Sequence, residues 1–361
     1  MSTIHQILPS LVYGDAISNH VMEMWRLVRQ KELHTRIYAN HIDPRYRVAA
    51  TDYRSYEDRP GNVLIYHYST GSAITPFVRA LKHSRVVIYY HNITPAHFLW
   101  DVNPMRAREL QQGREELWQL SSLPSLTHAM AGSEYNRLEL LDAGFQNVDV
   151  VPYIIDLGRL DASARSAQRI RQVKAKGAYT LLFVGRVVPN KCQHDLVHLT
   201  RYYHQLIDPK IQLWIAGGFS EASGYVAKLR VLITHYGLDA NIKLTGTLGT
   251  DGDLAALYQM ADAFVCMSEH EGFCIPLIEA MHFGKPVLAY ASTSVPFTMG
   301  EAGILFREKR FDMVAETLDR LRADTDLRSR VIEGQRQRIK AFDLKTTQTK
   351  LMQVLDRLRP E

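Results

Sequence analysis

The sequence predicts an α/β protein of two domains, each built on a parallel sheet with crossover helices. A chain of 361 residues exceeds the usual single domain of about 100–200 residues, so two cores are expected. Short runs rich in β-branched and aromatic residues alternate with helical segments, the pattern of a parallel sheet rather than of a sandwich or bundle. Most of these runs are continuously apolar, as suits strands covered on both faces.

In the first half, residues 63–67 (VLIYH) and 86–90 (VVIYY) read as strands, with a helix over 73–81 between them. Residues 148–153 (VDVVPY) read as a last strand running into a proline, and a polar, basic stretch follows over 159–176. The boundary is placed there, giving an N-terminal domain over 1–153 and a C-terminal domain over 154–342. Strands then resume at 181–185, 212–218, 242–246, 263–267 and 286–290. Leu351, Val354, Leu355 and Leu358 are spaced for one face of a final amphipathic helix. The sequence leaves open whether segment 343–361 packs back on the first domain.

Hydrophobic residues make up 46% and charged residues 22% of the chain, the balance of an ordinary globular protein. The net charge of +5 comes from 43 basic and 38 acidic residues, a surplus too small to indicate nucleic acid but compatible with phosphate ligands or an anionic surface. No basic flank and long apolar run opens the chain, and no stretch approaches the roughly 18 apolar residues of a spanning helix. The expectation is a cytoplasmic protein, neither secreted by a signal nor anchored by its own helix, with peripheral contact at the inner face of the plasma membrane left open. Cys192, Cys266 and Cys274 are too few and too unevenly spaced for a disulfide framework or a Cys-x-x-Cys metal site.

Two constellations carry chemistry. Strand 181–184 runs into Gly185-Arg186-Val187-Val188-Pro189-Asn190-Lys191. Ligands of open parallel sheets bind at the carboxyl ends of strands, so this loop would deliver a guanidinium and an ammonium suited to a diphosphate. The alternative is that both cations decorate a surface loop. The second constellation is Ser268-Glu269-His270-Glu271-Gly272-Phe273-Cys274-Ile275-Pro276-Leu277-Ile278-Glu279. Pro276 suits the first turn of a helix that ends before Gly284. The backbone N–H groups from Gly272 through Phe273 and Cys274 to Ile275 would then form an anion site at its start. Glu271 falls ahead of the helix and Glu279 about one turn inside, so the two carboxylates serve different parts of one ligand. For Glu279, a favourable interaction with the helix dipole is the competing explanation.

Together, Gly185-Arg186-x4-Lys191, Glu271-x7-Glu279 and Ala280-Met281-x-Phe283-Gly284-x-Pro286-Val287 closely resemble the retaining glycosyltransferases of family 4. The resemblance is dense over 180–306 and thinner before it. It implies the GT-B fold, two Rossmann-like domains with a deep interdomain cleft. It implies that Arg186 and Lys191 hold the donor diphosphate, that Glu271 and the Gly272–Phe273 backbone hold the transferred sugar, and that Glu279 holds the ribose. It also implies chemistry without a metal or other cofactor. Asp251-Gly252-Asp253 and Asp324-Thr325-Asp326 match the spacing of the metal-binding Asp-x-Asp of the other glycosyltransferase fold, but each reads more simply as a turn or helix start.

In the first half, residues 9–17 resemble the loop after the first strand that approaches donor phosphate and acceptor in the family. Gly14 is present without the double glycine often found there, and Asp15 is either an acceptor contact or a helix cap. His91, after the strand 86–90, stands where a family histidine lies beside the donor sugar. His67, at the end of 63–67, is its rival and is assigned to the acceptor. Residues 97–100 (HFLW) with Arg106, Arg108 and Arg114 offer aromatic and basic groups to a membrane or lipid-linked acceptor, with core packing of Phe98 and Trp100 as the competing explanation.

The function expected from the resemblance is transfer of a hexosyl unit, mannosyl from GDP-mannose ahead of a UDP-sugar, to a hydroxyl of a glycan or lipid-linked oligosaccharide. The competing readings are a non-catalytic nucleotide-sugar binding subunit, a sugar-nucleotide epimerase and a phosphorylase of the same fold.

Overall fold

The computed structural model describes residues 3–161, 176–219 and 222–358. Residues 162–175 of the polar, basic stretch that follows the expected boundary lie outside them. The chain divides into two compact units, one of Met1–Ala96, Met105–Ile155 and Phe342–Glu361, the other of His97–Pro104 and Asp156–Ala341.

The first unit contains strands β1 (Thr3–Leu11), β2 (Ile37–Ile42), β3 (Ala50–Asp52), β4 (Asn62–Tyr68), β5 (Arg85–Tyr90), β6 (Leu126–Ala131) and β7 (Val148–Val150). They form one parallel sheet in the order β3-β2-β1-β4-β5-β6-β7. Its helices are α1 (Ala16–Gln30), α2 (Ile74–Arg79), α3 (Pro104–Ser121) and α4 (Glu134–Asp142). β1 extends through Pro9 to Leu11 and α1 starts at Ala16. The loop expected over 9–17 is therefore only Val12 to Asp15. The order in which strands are added reverses between β1 and β4, the switch point of this parallel sheet.

The second unit begins with the single turn α5 (Gly158–Asp161) and continues as β8 (Thr180–Val184), α6 (Gln193–Leu206), β9 (Gln212–Ala216), α7 (Ser223–His235) and β10 (Ile242–Gly246). It proceeds through α8 (Asp251–Met260), β11 (Ala263–Cys266), α9 (Ile275–His282), β12 (Val287–Tyr290), α10 (Val295–Met299) and β13 (Ile304–Phe306), then α11 (Phe311–Ala323) and α12 (Thr325–Ile339). The parallel sheet runs β10-β9-β8-β11-β12-β13. Its switch point lies between β8 and β11, the two strands that carry the donor motifs. Leu181, Leu182, Phe183, Phe264 and Val265 are buried because helices cover both faces.

The final helix, α13 (Leu344–Leu358), belongs to the first unit. Its apolar stripe, Leu351, Val354, Leu355 and Leu358, packs with Ile4, Val63, Ile65, Val87 and Tyr89 of the sheet and Met24, Leu27 and Val28 of α1. Asp343 caps its start by accepting from the Thr346 N–H at 2.9 Å. Leu355 is fully buried, so Leu355→Ala is expected to destabilise the first unit by about 2–5 kcal/mol in urea unfolding. A loss under about 1 kcal/mol would show that this helix is not part of the core.

Candidate active site

Three loops at carboxyl ends of strands meet in the second unit. After β8 the chain passes through Gly185, whose N–H bonds the Ala216 carbonyl at 2.8 Å, and Val187, whose N–H bonds the Gly218 carbonyl at 3.0 Å. This draws the loop against the end of β9. At Gly217 a Cβ would lie 1.9 Å from the Gly185 oxygen, so only glycine permits the approach. A short 3-10 turn, Pro189–Lys191, follows. The buried Asn190 ties it to the loop after β11: its amide donates to the His270 carbonyl at 3.1 Å, and its carbonyl accepts from Glu269 N–H at 2.9 Å.

That tie brings Lys191 Nζ to 2.5 Å from Glu271 Oε2, with side-chain exposures of 16% and 8%. Glu271 is held in turn by the loop after β12. Its N–H donates to Thr293 Oγ1 at 2.9 Å, and the same hydroxyl donates to the Glu271 carbonyl at 2.9 Å. Arg186 is exposed on the same β8 loop, its carbonyl accepting from Gln193 Nε2 at 2.9 Å. Arg186, Lys191 and Glu271 are thus borne by neighbouring loops of one unit.

α9 begins after Cys274, a non-glycine residue in the left-handed region at φ 68°, and no side chain caps it. The Phe273 carbonyl is fixed by Thr298 Oγ1 at 2.5 Å. The segment Gly272 to Ile275 therefore presents the positive end of a helix beside Glu271. Glu279 lies on α9 itself, 4% exposed. Tyr258 donates to its Oε2 at 2.8 Å, and Arg159 of α5 stands 3.6 Å from its Oε1. Burial raises the Glu279 carboxyl above its ordinary range, against the opposing pull of Tyr258 and Arg159. Neither Tyr258 nor Arg159 was legible as a site residue. Arg159 opens a stretch that reads only as polar and basic, and Tyr258 is one apolar-face residue among several on α8.

In the first unit, Gly14 turns the loop after β1 at φ 79° with nothing close to its Cβ direction. Asp15 acts as the N-cap of α1, its Oδ2 accepting from Ser18 N–H at 2.9 Å and Ser18 Oγ at 3.1 Å. His67 and His91 stand side by side in a buried chain of hydrogen bonds. Gln6 Nε2 donates to the Val21 carbonyl at 3.2 Å, so its Oε1 accepts from His67 Nε2–H at 3.0 Å. His67 Nδ1 must then accept, and His91 Nε2–H donates to it at 2.8 Å. Finally, Tyr153 OH donates to His91 Nδ1 at 2.7 Å. His67 is fully buried with both ring nitrogens occupied. It has no polar atom to offer the acceptor role expected of it, because β4 aims it inward against Gln6 of β1. His91 is 5% exposed and engaged at both nitrogens.

Burial also drives the neighbouring His20 down to about 3, and holds His67 and His91 well below the ordinary imidazole range. Their folded values lie below the unfolded value near 6.5, so the unfolded chain takes up protons that the folded chain refuses once pH falls below it. For His20, whose value falls to about 3, this removes about 2 kcal/mol of stability between pH 6.5 and 5. His20→Gln keeps an acceptor for the Ile154 N–H, which His20 Nδ1 now binds at 3.0 Å. Urea unfolding at pH 7 and 5 is expected to show this variant losing about 2 kcal/mol less than the parent.

Of the residues considered for a membrane, Arg106 and Arg114 have partners within the first unit, while Arg108 is exposed. Arg106 bonds Thr70 at 3.1 Å and Glu109 at 2.6 Å, while Arg114 bonds the Ile93 carbonyl at 2.6 Å and Glu139 at 2.9 Å. Phe98 packs 6.3 Å from the His270 ring within the second unit, whereas Trp100 is 37% exposed rather than a core residue. Asp251 and Asp253 lie in the first turn of α8, and Asp324 caps α12 by accepting from Asp326 and Leu327 N–H groups at 3.0 and 2.8 Å. Among the described residues no helix is long and apolar enough to cross a membrane.

Residues 164–338 match the family model of glycosyl transferases group 1. The group 1 segment contains Arg186, Lys191, Glu271 and Glu279. A D-inositol 3-phosphate glycosyltransferase of Salinispora arenicola is 28% identical over 231 residues, 60% of this chain and 51% of that one. A GDP-mannose:cellobiosyl-diphosphopolyprenol alpha-mannosyltransferase of Xanthomonas campestris is 33% identical over 155 residues, 41% of this chain and 40% of that one. The chain thus spans about half the length of the curated relatives it matches. Among solved structures, Anabaena Alr3699/HepE in complex with UDP and glucose superposes with a TM-score of 0.77 at 16% identity, covering 98% of this chain and 99% of that one. Sucrose-phosphate synthase of Thermosynechococcus elongatus gives 0.77 at 17% identity over 99% of both chains. The fold is GT-B, two Rossmann-like domains.

Proposed function

We propose that this protein is a retaining glycosyltransferase that moves a hexosyl unit from a nucleotide-diphospho-sugar to a hydroxyl of a glycan or lipid-linked oligosaccharide. The observation that carries the reading is the Lys191–Glu271 pair at the junction of three strand-end loops, beside the exposed Arg186 and the uncapped start of α9. Cations and a helix terminus stabilise a departing diphosphate, so the chemistry requires no metal. Lys191 and Arg186 take the diphosphate, Glu271 the sugar hydroxyls and Glu279 the ribose. The acceptor oxygen bonds to the anomeric carbon as its bond to the diphosphate breaks. Both events occur on one face of the sugar, and the acceptor proton passes to the leaving diphosphate oxygen.

Mannosyl transfer from GDP-mannose is the preferred assignment, supported by the names of the Xanthomonas relative and of the Escherichia coli mannosyltransferase WbdA, 28% identical over 163 residues. A UDP-sugar is second, supported by the UDP of the Anabaena complex. Thermal unfolding with GDP, UDP, ADP and their sugar conjugates, without added metal, tests the reading. A ligand at 100 times its Kd stabilises by about 2.7 kcal/mol. The expected result is a rise in melting temperature with GDP and GDP-mannose. No rise with any nucleotide would favour a role without a donor.

A further inference from the structure

Two of the three cysteines, unpromising by spacing, come together at the candidate site. Cys266 ends β11, Cys274 precedes α9, and the loop between them carries Glu271. One ligand atom from each of Cys266, Glu271 and Cys274 lies within 4.8 Å of the others. The residues are 0%, 7% and 8% exposed, and both cysteines are free thiols. Cys266 Sγ is 3.3 Å from Ser268 Oγ, to which it donates, and the thiolate form is the one that binds a metal.

We propose that Cys266, Cys274 and Glu271 form a site for a thiophilic divalent cation of the zinc class, and that filling it withdraws Glu271 from Lys191 and blocks the donor site. The metal site goes beyond the proposed function, and only the blocking of the donor rests on that reading. Two sulfurs and a carboxylate are a zinc donor set, with a fourth position left for water. Ligands at zinc distances stand about 3.3–3.8 Å apart in a tetrahedron, so a cluster within 4.8 Å needs to contract by no more than about 1–1.5 Å.

Charge favours the exchange. With two neutral thiols, the Glu271 carboxylate and the Lys191 ammonium, the group is neutral. A divalent cation binding to two thiolates and the carboxylate releases two protons and leaves it neutral again, so no uncompensated charge is buried. A second cluster of the same compactness, Cys192, His194 and Asp195, is a weaker candidate. It has one sulfur, pushed up to about 12 by burial, and Lys309 already holds Asp195 at 2.6 Å.

The test is a titration of the full chain with cobalt as a spectroscopic stand-in, followed by displacement with zinc. The expected result is a sulfur-to-cobalt charge-transfer band that saturates at one equivalent, with affinity rising by up to about 100-fold per pH unit below the thiol range. Cys266→Ser and Cys274→Ser should each abolish the band, and Cys192→Ser should keep it. Glu271→Gln keeps both sulfurs, so it should retain the band with affinity weakened at least about tenfold and supplies the test if a serine variant fails to fold. No band in the parent, a band persisting in either serine variant that folds, or loss only in Cys192→Ser would overturn the site. Zinc should also weaken GDP-mannose binding in the parent. A bound metal with unchanged nucleotide affinity would overturn the blocking while leaving the site intact. Absence of any nucleotide binding would count against the transferase reading alone.

Discussion

Lys191→Ala is expected to lower turnover by about 100- to 1,000-fold, the usual consequence of removing one preorganised group from a developing anion. The stability effect is a separate quantity, of similar or smaller size. Breaking a buried ion pair by deleting one partner costs about 3–5 kcal/mol because the other charge is stranded. Here Lys191 retains 16% and Glu271 8% side-chain exposure, so the cost should fall at or below the lower end, within the margin of a typical domain. The two effects separate in a double variant. Lys191→Met with Glu271→Gln removes both charges and should regain most of the stability while turnover stays low. Steady-state kinetics and urea unfolding on the same preparations check both, and turnover near the parent value would remove Lys191 from the site.

Gly217→Ala should produce the largest structural effect of any single methyl. The added Cβ would stand 1.9 Å from the Gly185 carbonyl oxygen and 2.5 Å from its carbon, and both atoms are backbone. The residue also has φ 156°, a conformation side chains rarely adopt. Relief requires the ends of β8 and β9 to part, which breaks the Gly185–Ala216 and Val187–Gly218 hydrogen bonds that aim the Arg186 loop. A loss of about 3 kcal/mol or more in unfolding free energy is expected, together with weakened nucleotide binding in whatever folds. A variant that melts within a degree or two of the parent would contradict the close approach.

Much of this was legible in the chain, and for identifiable reasons. The strands at 62–68, 85–90, 180–184, 212–216, 263–266 and 287–290 announce themselves as apolar, β-branched runs because both of their faces are covered, whereas the edge strand 242–246 is mostly half-buried. β2, β3, β6 and β13 were not recognised. β3 and β13 have three residues each, and β6 (LTHAMA) mixes polar residues that become strand only through pairing with β5. Proline 9 made the end of β1 look like a loop.

The donor motifs were legible because Gly185 to Lys191 and Glu271 to Glu279 are each local in sequence. Their supports were not. Asn190, Thr293, Tyr258 and Arg159 matter through contacts across 20 to 120 residues of chain, a separation no local pattern encodes. The two histidines were found at strand ends, but their mutual bond and their ties to Gln6 and Tyr153 follow from the parallel register of β1, β4 and β5. The same holds for Cys266 and Cys274, whose spacing conceals that a strand end and a helix start converge.

The most direct measurement is proton NMR of the anomeric centre during transfer from GDP-mannose to a polyprenyl-diphosphate-linked oligosaccharide. The account predicts an α-linked product from the α-configured donor, GDP released one for one, and loss of both signals in Lys191→Ala. A β-linked product would contradict the retaining assignment. Unchanged transfer by Lys191→Ala would contradict the site itself.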